Sequence, residues 1–527
     1  MYITKNTERL TLAVIGGGAA SVAFLHHLSN LITPSAAARL QVTVFEPRSL
    51  VGPGLAYQPD VDSVLLNRAV ETMSVSAVDF STFTSWVRWK SHHESELHEL
   101  ARRDPSSTYV SRPLFGRYLN DFFNETMSTA RRKGLAIDVV HKEIRQIARR
   151  TRYRLIADDD AYDADSVVLA VGNTGQRDHY GLAGHERYIH CPYPVASVLE
   201  ELADAHRIAI IGASLTAVDI AVSLDRMNSR AEIHMVSNTG LLPLVKGQQA
   251  LPQPLRHLTV ERLRALTSDG RTTISLRQLG RLIRAEFRAA GADWRALFSE
   301  QGDAVARLSD EIALADRERA WQTILVATND IVEFAWHVLD TASQACVQKR
   351  FARHWLACRA PMPVENARVL ARMLEEGRLK LMKTPIAFER TDPHRLVTTI
   401  DGQGCGDTYD YVVNATGAAR DVQEPGDSVL IWQMLSDGLA SRDWRGGIRV
   451  DFDTGAVIDG DGEPDYQLRA LGHITSGTYF FVSSLEMVAK RARRIATDIA
   501  SALAEEDLTL QRPSAQPFEP IGDGVAA

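Results

Sequence analysis

The chain has 527 residues, 45% of them hydrophobic, and its 59 basic and 66 acidic residues give a net charge of -7. Such a composition predicts a folded protein of roughly two to four domains, and the acidic balance argues against a nucleic-acid partner. The four cysteines form no CxxC pair, which argues against a disulfide scaffold, a zinc ribbon and a CxxC redox centre. No apolar stretch is long enough to span a membrane, so we expect a cytoplasmic protein, and the sequence leaves a homo-oligomer open.

Near the N-terminus, a short apolar strand is followed by a glycine turn and the start of a helix. Gly16 permits the tight turn, Gly18 lets the backbone approach a pyrophosphate, and Ser21 is small enough for helix and strand to pack. Ala19 and Ala20 open the helix, whose free N–H groups and partial positive charge favour phosphate. This pattern predicts a dinucleotide-binding unit.

Glu46 ends the next predicted strand, at the position where an acid accepts hydrogen bonds from an adenosine ribose. A carboxylate at this position would repel a 2′-phosphate. The first unit therefore fits FAD or NAD and argues against NADP. The competing interpretation is an ordinary strand–helix–strand unit that binds no ligand.

A second segment of the same kind begins at Gly212, with Ser214 at the position of close approach and Thr216 in the first turn of the helix. The strand after it ends at Ser237 with no acid at the ribose position, which removes the charge that disfavours NADPH. No arginine is present there to bind a 2′-phosphate, so NADPH is favoured and NADH stays open. Two such units in one chain predict two nucleotides held close together, with electrons passed between them.

The predicted fold class is α/β, with two Rossmann-like dinucleotide-binding domains and a helical insertion. The first domain is discontinuous and comprises residues 10–180 plus 400–505. The second domain comprises residues 181–399, and apolar spacings of three and four predict a helical insertion within it at 251–376. Residues 508–527 are rich in proline and small polar residues, so we expect a disordered tail.

Two similar strand–turn–strand stretches end in buried strands, which terminate at Gly172 and Gly417. This weak internal repeat predicts two related units, and each glycine allows the chain to approach a cofactor or the partner domain closely. The helical insertion is a natural place for a substrate pocket, and a dimer face is the alternative.

Together these residues resemble the two-dinucleotide-binding flavoproteins, and among them the flavin-containing and amine N-hydroxylating monooxygenases. More narrowly, the chain is similar to the bacterial FAD-NAD(P)-binding family over most of residues 10–505. Besides the two glycine turns and Glu46, the residues that carry the resemblance are Gly52, Gly54, Leu55, Asn67, Met73, Arg112, Gly417 and Gly477.

The resemblance implies that FAD occupies the first unit and NADPH, or NADH, the second. Gly52, Gly54 and Leu55 would follow the FAD diphosphate and ribityl chain, and Asn67 would lie beside the reactive edge of the isoalloxazine as a catalytic residue. The other residues implied to contact cofactor are Met73, Arg112, Gly172, Gly417 and Gly477.

The resemblance also implies a reaction. Flavin reduced by NAD(P)H reacts with molecular oxygen to give a C4a-hydroperoxide, which transfers oxygen to the nitrogen of an amino acid or small amine. A cofactor that supplies the chemistry accounts for the lack of a catalytic triad or metal cluster in the sequence. The alternatives are a flavoprotein dehydrogenase or oxidase without oxygen insertion, and a non-catalytic flavin-binding partner protein.

Three features have competing interpretations. Arg359 is a candidate to bind a substrate carboxylate through two parallel hydrogen bonds, and the alternative is a charged helix face over an aromatic core. Ser214 lacks the second glycine of a hydrolase nucleophile turn, so a phosphate-binding role is preferred. His93 and His98 would lie on different sides of a helix, which favours a solvated surface and predicts no metal site.

Overall fold

The computed structural model describes residues 9–511 apart from 228–229, 239, 249–253, 268–271, 296–302, 384–386, 393, 401–402, 421 and 423–427. The strands are β1 (Leu10–Ile15), β2 (Leu40–Phe45), β3 (Ala136–Val140), β4 (Gln146–Arg149), β5 (Tyr153–Ala157), β6 (Asp160–Ala164), β7 (Ser166–Leu169), β8 (Tyr188–Ile189), β9 (Arg207–Ile211), β10 (Glu232–Ser237), β11 (Leu379–Lys383), β12 (Ala387–Asp392), β13 (Arg395–Ile400), β14 (Gln403–Tyr409), β15 (Tyr411–Asn414), β16 (Ala456–Ile458) and β17 (Pro464–Ala470).

The helices are α1 (Ala19–Leu31), α2 (Pro34–Arg39), α3 (Thr82–Ser91), α4 (His98–Arg102), α5 (Arg112–Arg132), α6 (Val195–Glu201), α7 (Leu215–Arg226), α8 (Val260–Thr267), α9 (Leu276–Ala289), α10 (Ala304–Ala313), α11 (Ala320–Ala327), α12 (Val332–His337), α13 (Thr341–Cys346), α14 (Ala352–Arg359), α15 (Val364–Glu375), α16 (Val429–Ser436), α17 (Ser476–Tyr479) and α18 (Leu485–Gln511).

The first sheet has the strand order β16-β17-β7-β1-β2-β3, parallel throughout except for the pair β16–β17. Its central strand β1 is an apolar run because a parallel sheet is covered by protein on both faces. Helix α1 packs against α5 and α18 on one face, where Val14, Phe24, Val42 and Tyr118 belong to a single buried cluster. This packing fixes the glycine turn between β1 and α1 on a rigid support.

The second sheet, all parallel, has the order β11-β10-β9-β15-β8. It repeats the first sheet: β15, β9, β10 and β11 take the positions of β7, β1, β2 and β3. In each unit a three-stranded antiparallel sheet precedes the closing strand, β4-β5-β6 before β7 and β12-β13-β14 before β15. The internal repeat predicted from the sequence is therefore confirmed.

The structure places three segments differently from the predicted domain boundaries. The segment 400–505 was assigned to the first domain, but β15 within it pairs with β8 and β9 of the second sheet. The predicted insertion 251–376 includes α15, which packs on α7 and β11 and connects parallel strands β10 and β11 of the second unit. The predicted disordered tail begins at residue 508, yet α18 continues to Gln511; residues 512–527 lie outside the described part of the chain.

The insertion, from α8 to α14, has its own apolar core, which includes Leu263, Ile331 and Trp336. It docks on the first unit: the Trp336 indole N–H donates to the Gly477 carbonyl at 2.8 Å, and Glu333 pairs with Arg491 of α18. Among the described residues, no helix combines the length and hydrophobicity needed to cross a lipid bilayer.

Candidate functional site

The first glycine turn forms a narrow cradle in which Gly16 tolerates no larger side chain. Gly16 has a φ of +99°, and a Cβ there would lie 2.3 Å from the carbonyl oxygen of Ala170. The N–H of Gly52 donates to the Gly17 carbonyl at 2.6 Å, which brings the second glycine loop onto the first. A Cβ on Gly54 would lie 3.2 Å from the Cα of Gly18, so two glycines face each other across the cradle.

The N-terminus of α1 points at this cradle without a protein cap. Gly18 occupies the position before the helix and provides no side-chain hydrogen bond to its first turn, which holds Ala19 and Ala20. The Ser21 hydroxyl instead donates to the Gly16 carbonyl and fixes the turn. The uncapped N–H groups and the helix dipole favour an anion, as a dinucleotide pyrophosphate requires.

Glu46 is buried, with 2% of its surface exposed, directly beside the cradle. One carboxylate oxygen accepts the Gly17 N–H at 2.9 Å, and the other accepts the Arg48 N–H at 3.0 Å. Each oxygen keeps lone-pair capacity that ribose hydroxyls could use. These contacts agree with the position expected for the ribose-binding acid.

The second turn has the same geometry. Gly212 has a φ of +120°, and a Cβ there would lie 2.6 Å from the Ala415 carbonyl oxygen. Ser214 precedes α7 and leaves that helix without a side-chain cap. A cavity of about 540 Å³ lies over this turn, and Gly212, Ser214 and Ser237 line it together with His354. The residues therefore fit a second dinucleotide.

A cavity of about 940 Å³ lies where the two units meet. The loops that follow β7 and β15 border it, and they pair with each other: the Ala419 N–H donates to the Gly175 carbonyl at 3.0 Å, and the Thr174 hydroxyl donates to the Ala419 carbonyl at 3.1 Å. Seven of the residues predicted from the sequence line this central cavity: Leu55, Asn67, Met73, Arg112, Thr216, Arg359 and Gly417.

Asn67 is half-buried on the wall of the central cavity. Its side-chain amide makes no hydrogen bond to any residue that the structure describes. A primary amide can donate twice and accept twice, and polar groups of this kind fix the orientation of a ligand in an otherwise apolar site. Asn67 is therefore free to bind a ligand here.

Arg359 ends α14 and is 7% exposed. Its Nη2 donates to Asn329 at 2.6 Å, its guanidinium lies 5.1 Å from the centre of the Phe481 ring, and its Nε is buried with no partner within the described residues. Burial, together with nearby Arg68, lowers the pKa of Arg359 to about 10. A buried donor without a partner is costly, so an acceptor from a ligand is expected.

Two more cations, Arg68 and Lys246, lie near Arg359, and the sequence pattern predicts neither of them at this position. Lys246 is 9% exposed, and burial, followed by the charges of Arg359 and Arg68, lowers its pKa to about 7. Arg68 pairs with Glu486 at 3.2 Å, and Glu486 also binds Lys490. Of Arg68, Lys246 and Arg359, only Arg68 forms an ion pair with a carboxylate in the described part of the chain, which leaves a surplus of positive charge beside the cavity.

Arg112 makes contacts between the two units that the sequence did not predict. Its guanidinium donates to the Leu65 carbonyl at 3.4 Å, to the Tyr193 hydroxyl at 3.1 Å and to Asp219 of α7 at 2.7 Å. Burial raises the pKa of Asp219 to about 6, and Arg112 counteracts this effect. Arg112 lines the cavity, but its main contacts tie the first unit to the second.

Two other predicted cofactor residues are placed differently from expectation. Gly477 lies within α17, where a Cβ would lie 2.4 Å from the Asp443 side chain and 2.5 Å from the Gly446 carbonyl oxygen. Close packing of the protein therefore accounts for this glycine. In the described part of the chain, Gly477 does not line the central cavity. Gly172 has a φ of +76° and turns the chain from β7 into the loop that lines the cavity, which begins at Asn173.

The comparisons with known proteins agree with this geometry. Residues 13–174 match the FAD-NAD(P)-binding family. The uncharacterized protein YdhS of Escherichia coli (strain K12) is 20% identical over 466 residues, which cover 79% of this chain and 85% of that protein.

Solved structures with the same fold include amino-acid hydroxylases and a monooxygenase. L-lysine 6-monooxygenase from Pseudomonas syringae superposes with a TM-score of 0.55 at 15% identity, over 94% of this chain and 99% of that one. The reduced ornithine hydroxylase of Pseudomonas aeruginosa gives 0.54 at 15% identity, over 94% and 100%. The ornithine N-hydroxylase of Kutzneria sp. 744, in complex with reduced FAD, NADP+ and L-ornithine, gives 0.52 at 15% identity, over 95% and 100%.

These likenesses confirm the predicted fold class, with its two Rossmann-like units. Residues 13–174 are therefore similar to the FAD-NAD(P)-binding family, and the chain has the fold of the ornithine and lysine monooxygenases.

Proposed function

We propose that the protein is an FAD- and NAD(P)H-dependent monooxygenase that hydroxylates the nitrogen of an amino acid or a small amine. The overall reaction converts an amine, O2, NAD(P)H and a proton into a hydroxylamine, water and NAD(P)+. FAD, when bound and reduced, supplies the oxygen-activating chemistry. The observation that carries the proposal is the single central cavity onto which the closing loops of both dinucleotide units open.

The first cradle fits FAD. Gly16 and Gly18 leave room for a pyrophosphate at the uncapped N-terminus of α1, and Glu46 offers acceptors to a ribose. Leu55 follows Gly54, which faces Gly18 across this cradle, and Leu55, Asn67 and Met73 line the central cavity, where they would hold the flavin ring. Ser214 and Ser237 line the second cradle, where NADPH is the preferred occupant.

The surplus positive charge beside the cavity would act on the substrate in two ways. Arg359, with its free Nε, would bind a substrate carboxylate. The same charges disfavour an ammonium ion nearby and so favour the neutral amine, whose lone pair is the nucleophile. Both effects suit an amino acid whose amine has to be deprotonated at neutral pH.

The test is to purify the protein, titrate it with NADPH and NADH without oxygen, and then screen amino acids with ¹⁸O-labelled O2. Bleaching of the flavin followed by labelled hydroxylamine supports the proposal. Bleaching with an unlabelled oxidised product would indicate a dehydrogenase or oxidase. A flavin that neither nucleotide bleaches would indicate a non-catalytic flavin-binding protein.

A further inference from the structure

The helical insertion contains a second cavity, of about 750 Å³, which the proposed reaction does not use. Its lining is almost entirely apolar and includes Leu279, Ile283, Phe287, Ile331, Trp336 and Trp355. Glu286 also borders it, but that carboxylate is occupied with the backbone N–H groups of residues 256–258 at 2.6 to 3.0 Å. Glu286 therefore adds no free charge to the apolar surface of this cavity.

This apolar cavity lies directly behind the central cavity. Cys358 and Phe480 line the apolar cavity, whereas the residues after them in the chain, Arg359 and Phe481, line the central one. At these two places, consecutive residues of the chain border different cavities, so the two cavities are neighbours. Phe480 has a φ of +63°, an uncommon conformation for a bulky residue, and this turn lets adjacent side chains border different cavities.

A glycine in the wall keeps the apolar cavity open. Gly280 lies inside helix α9, where glycine is destabilising, yet a Cβ built on it meets no atom within 4 Å. A larger residue would fit the backbone but would occupy the cavity. In addition, the indole N–H of Trp355 is buried in this wall with no partner among the described residues.

We propose that the apolar cavity binds the apolar side group of the substrate, while Arg359 in the central cavity binds the carboxylate. The inference rests on the proposed function and narrows its substrate to amino acids with a long alkyl or aryl side group. A second ammonium group, as in ornithine or lysine, would find apolar surface beyond Arg359 and would be repelled by the surplus positive charge.

The test uses 2-amino acids with unbranched side chains of increasing length, from 2-aminobutyrate to 2-aminodecanoate. Binding to the full-length holoprotein is followed by tryptophan fluorescence without turnover, because Trp336 and Trp355 line the cavity. The dissociation constant should fall about four-fold for each added methylene. Gly280→Phe should abolish this dependence, whereas the control Gly280→Ala should retain it; both variants should fold, since each removes a helix glycine.

The outcomes separate the two proposals. Chain-length-dependent binding without hydroxylamine formation supports the apolar site and contradicts the proposed function. Hydroxylamine formation with the same affinity across the series supports the function and overturns the apolar site. A dependence of affinity on chain length that Gly280→Phe leaves unchanged also overturns the apolar site. The site is likewise overturned if affinity does not depend on chain length and Gly280→Phe instead dissociates a dimer.

Discussion

At the scale of one residue, substitution of Asn67 should separate FAD binding from the coupling of NAD(P)H oxidation to hydroxylamine formation. Its amide faces the central cavity and makes no hydrogen bond within the described residues, so its removal leaves the FAD cradle intact. We expect Asn67→Ala to retain FAD but to release hydrogen peroxide, with coupling to hydroxylamine reduced about ten-fold by the loss of one oriented hydrogen bond. The ratio of peroxide to NAD(P)H consumed measures this effect. Asn30→Ala, on the exposed part of α1, is the control, and unchanged coupling in Asn67→Ala would exclude the residue from catalysis.

Lys246 should make substrate affinity depend on pH. Its pKa is lowered to about 7, so it is charged below that pH and neutral above it, while Arg359, with a pKa lowered only to about 10, keeps its charge. The KM for a carboxylate-bearing substrate should therefore be lowest at about pH 5.5 and rise roughly ten-fold by about pH 8.5. Lys246→Met should give the higher KM throughout and a flat profile.

The control for Lys246→Met is Lys142→Met, since Lys142 pairs with Asp160 on the surface. This control should keep the pH profile of the unmodified protein. A rise in KM with pH that persists in Lys246→Met would contradict the assignment of the titration to Lys246, and it could not come from the substrate amine, whose deprotonation should lower KM as the pH rises.

At the scale of one element, the turn between β1 and α1 contains glycines that are required for different reasons. A Cβ on Gly16 meets a backbone carbonyl at 2.3 Å, whereas a Cβ on Gly18 has its nearest neighbour at 3.7 Å. Gly16→Ala should therefore disturb the fold. Gly18→Ala should fold normally but retain at least about ten-fold less FAD, because the open space at Gly18 is where the pyrophosphate approaches.

Flavin absorbance per mole of protein, together with thermal unfolding, measures both effects. Normal unfolding with depleted flavin in Gly18→Ala is the expected pair of results. A full complement of FAD in that variant would show that the cofactor does not pass over Gly18.

The strand–turn–helix elements could be predicted from the sequence because their pattern is local. Gly16, Gly212, Glu46 and the closing turn at Gly417 all follow from short apolar runs with glycine at fixed positions. The position of β15 could not be obtained this way, since its pairing with β9 depends on a contact across about 200 residues. Similarly, α15 has the same apolar spacing as the insertion helices, and only its packing on α7 assigns it to the second unit.

The positive cluster was only partly predictable. Arg359 was a candidate because several basic residues lie near it in the chain. Arg68, Lys246 and Glu486 come from three distant segments, and nothing local in the sequence shows that they meet beside one cavity. Convergence of this kind is set by the tertiary fold, so the electrostatics of the site become visible only in the structure.

At the scale of the whole molecule, the proposed reaction requires the two units to hold their cofactors at a fixed distance and orientation. The salt bridge from Arg112 of α5 to Asp219 of α7 joins them at 2.7 Å, and Ser63 and Ser223 add a hydrogen bond at 2.7 Å. Asp219 is 2% exposed, so its charge depends on Arg112. We therefore propose that Arg112, whose predicted contact with the cofactor stays a prediction, positions the second unit.

Arg112→Met should therefore slow hydride transfer while leaving cofactor binding in place. Small displacements of reacting groups cost large factors in rate, so we expect flavin reduction by saturating NADPH to fall about ten- to one-hundred-fold. Anaerobic stopped-flow absorbance measures that rate, and the FAD content and the affinity for NADPH are measured on the same samples. Arg117→Met, on the same helix but in exposed ion pairs with Glu94 and Glu96, is the matched control. A normal reduction rate would contradict a positioning role, because the relative position of the two units would then not depend on Arg112. A loss of FAD in proportion to the loss of rate would also contradict it, because Arg112 would then act by binding the cofactor.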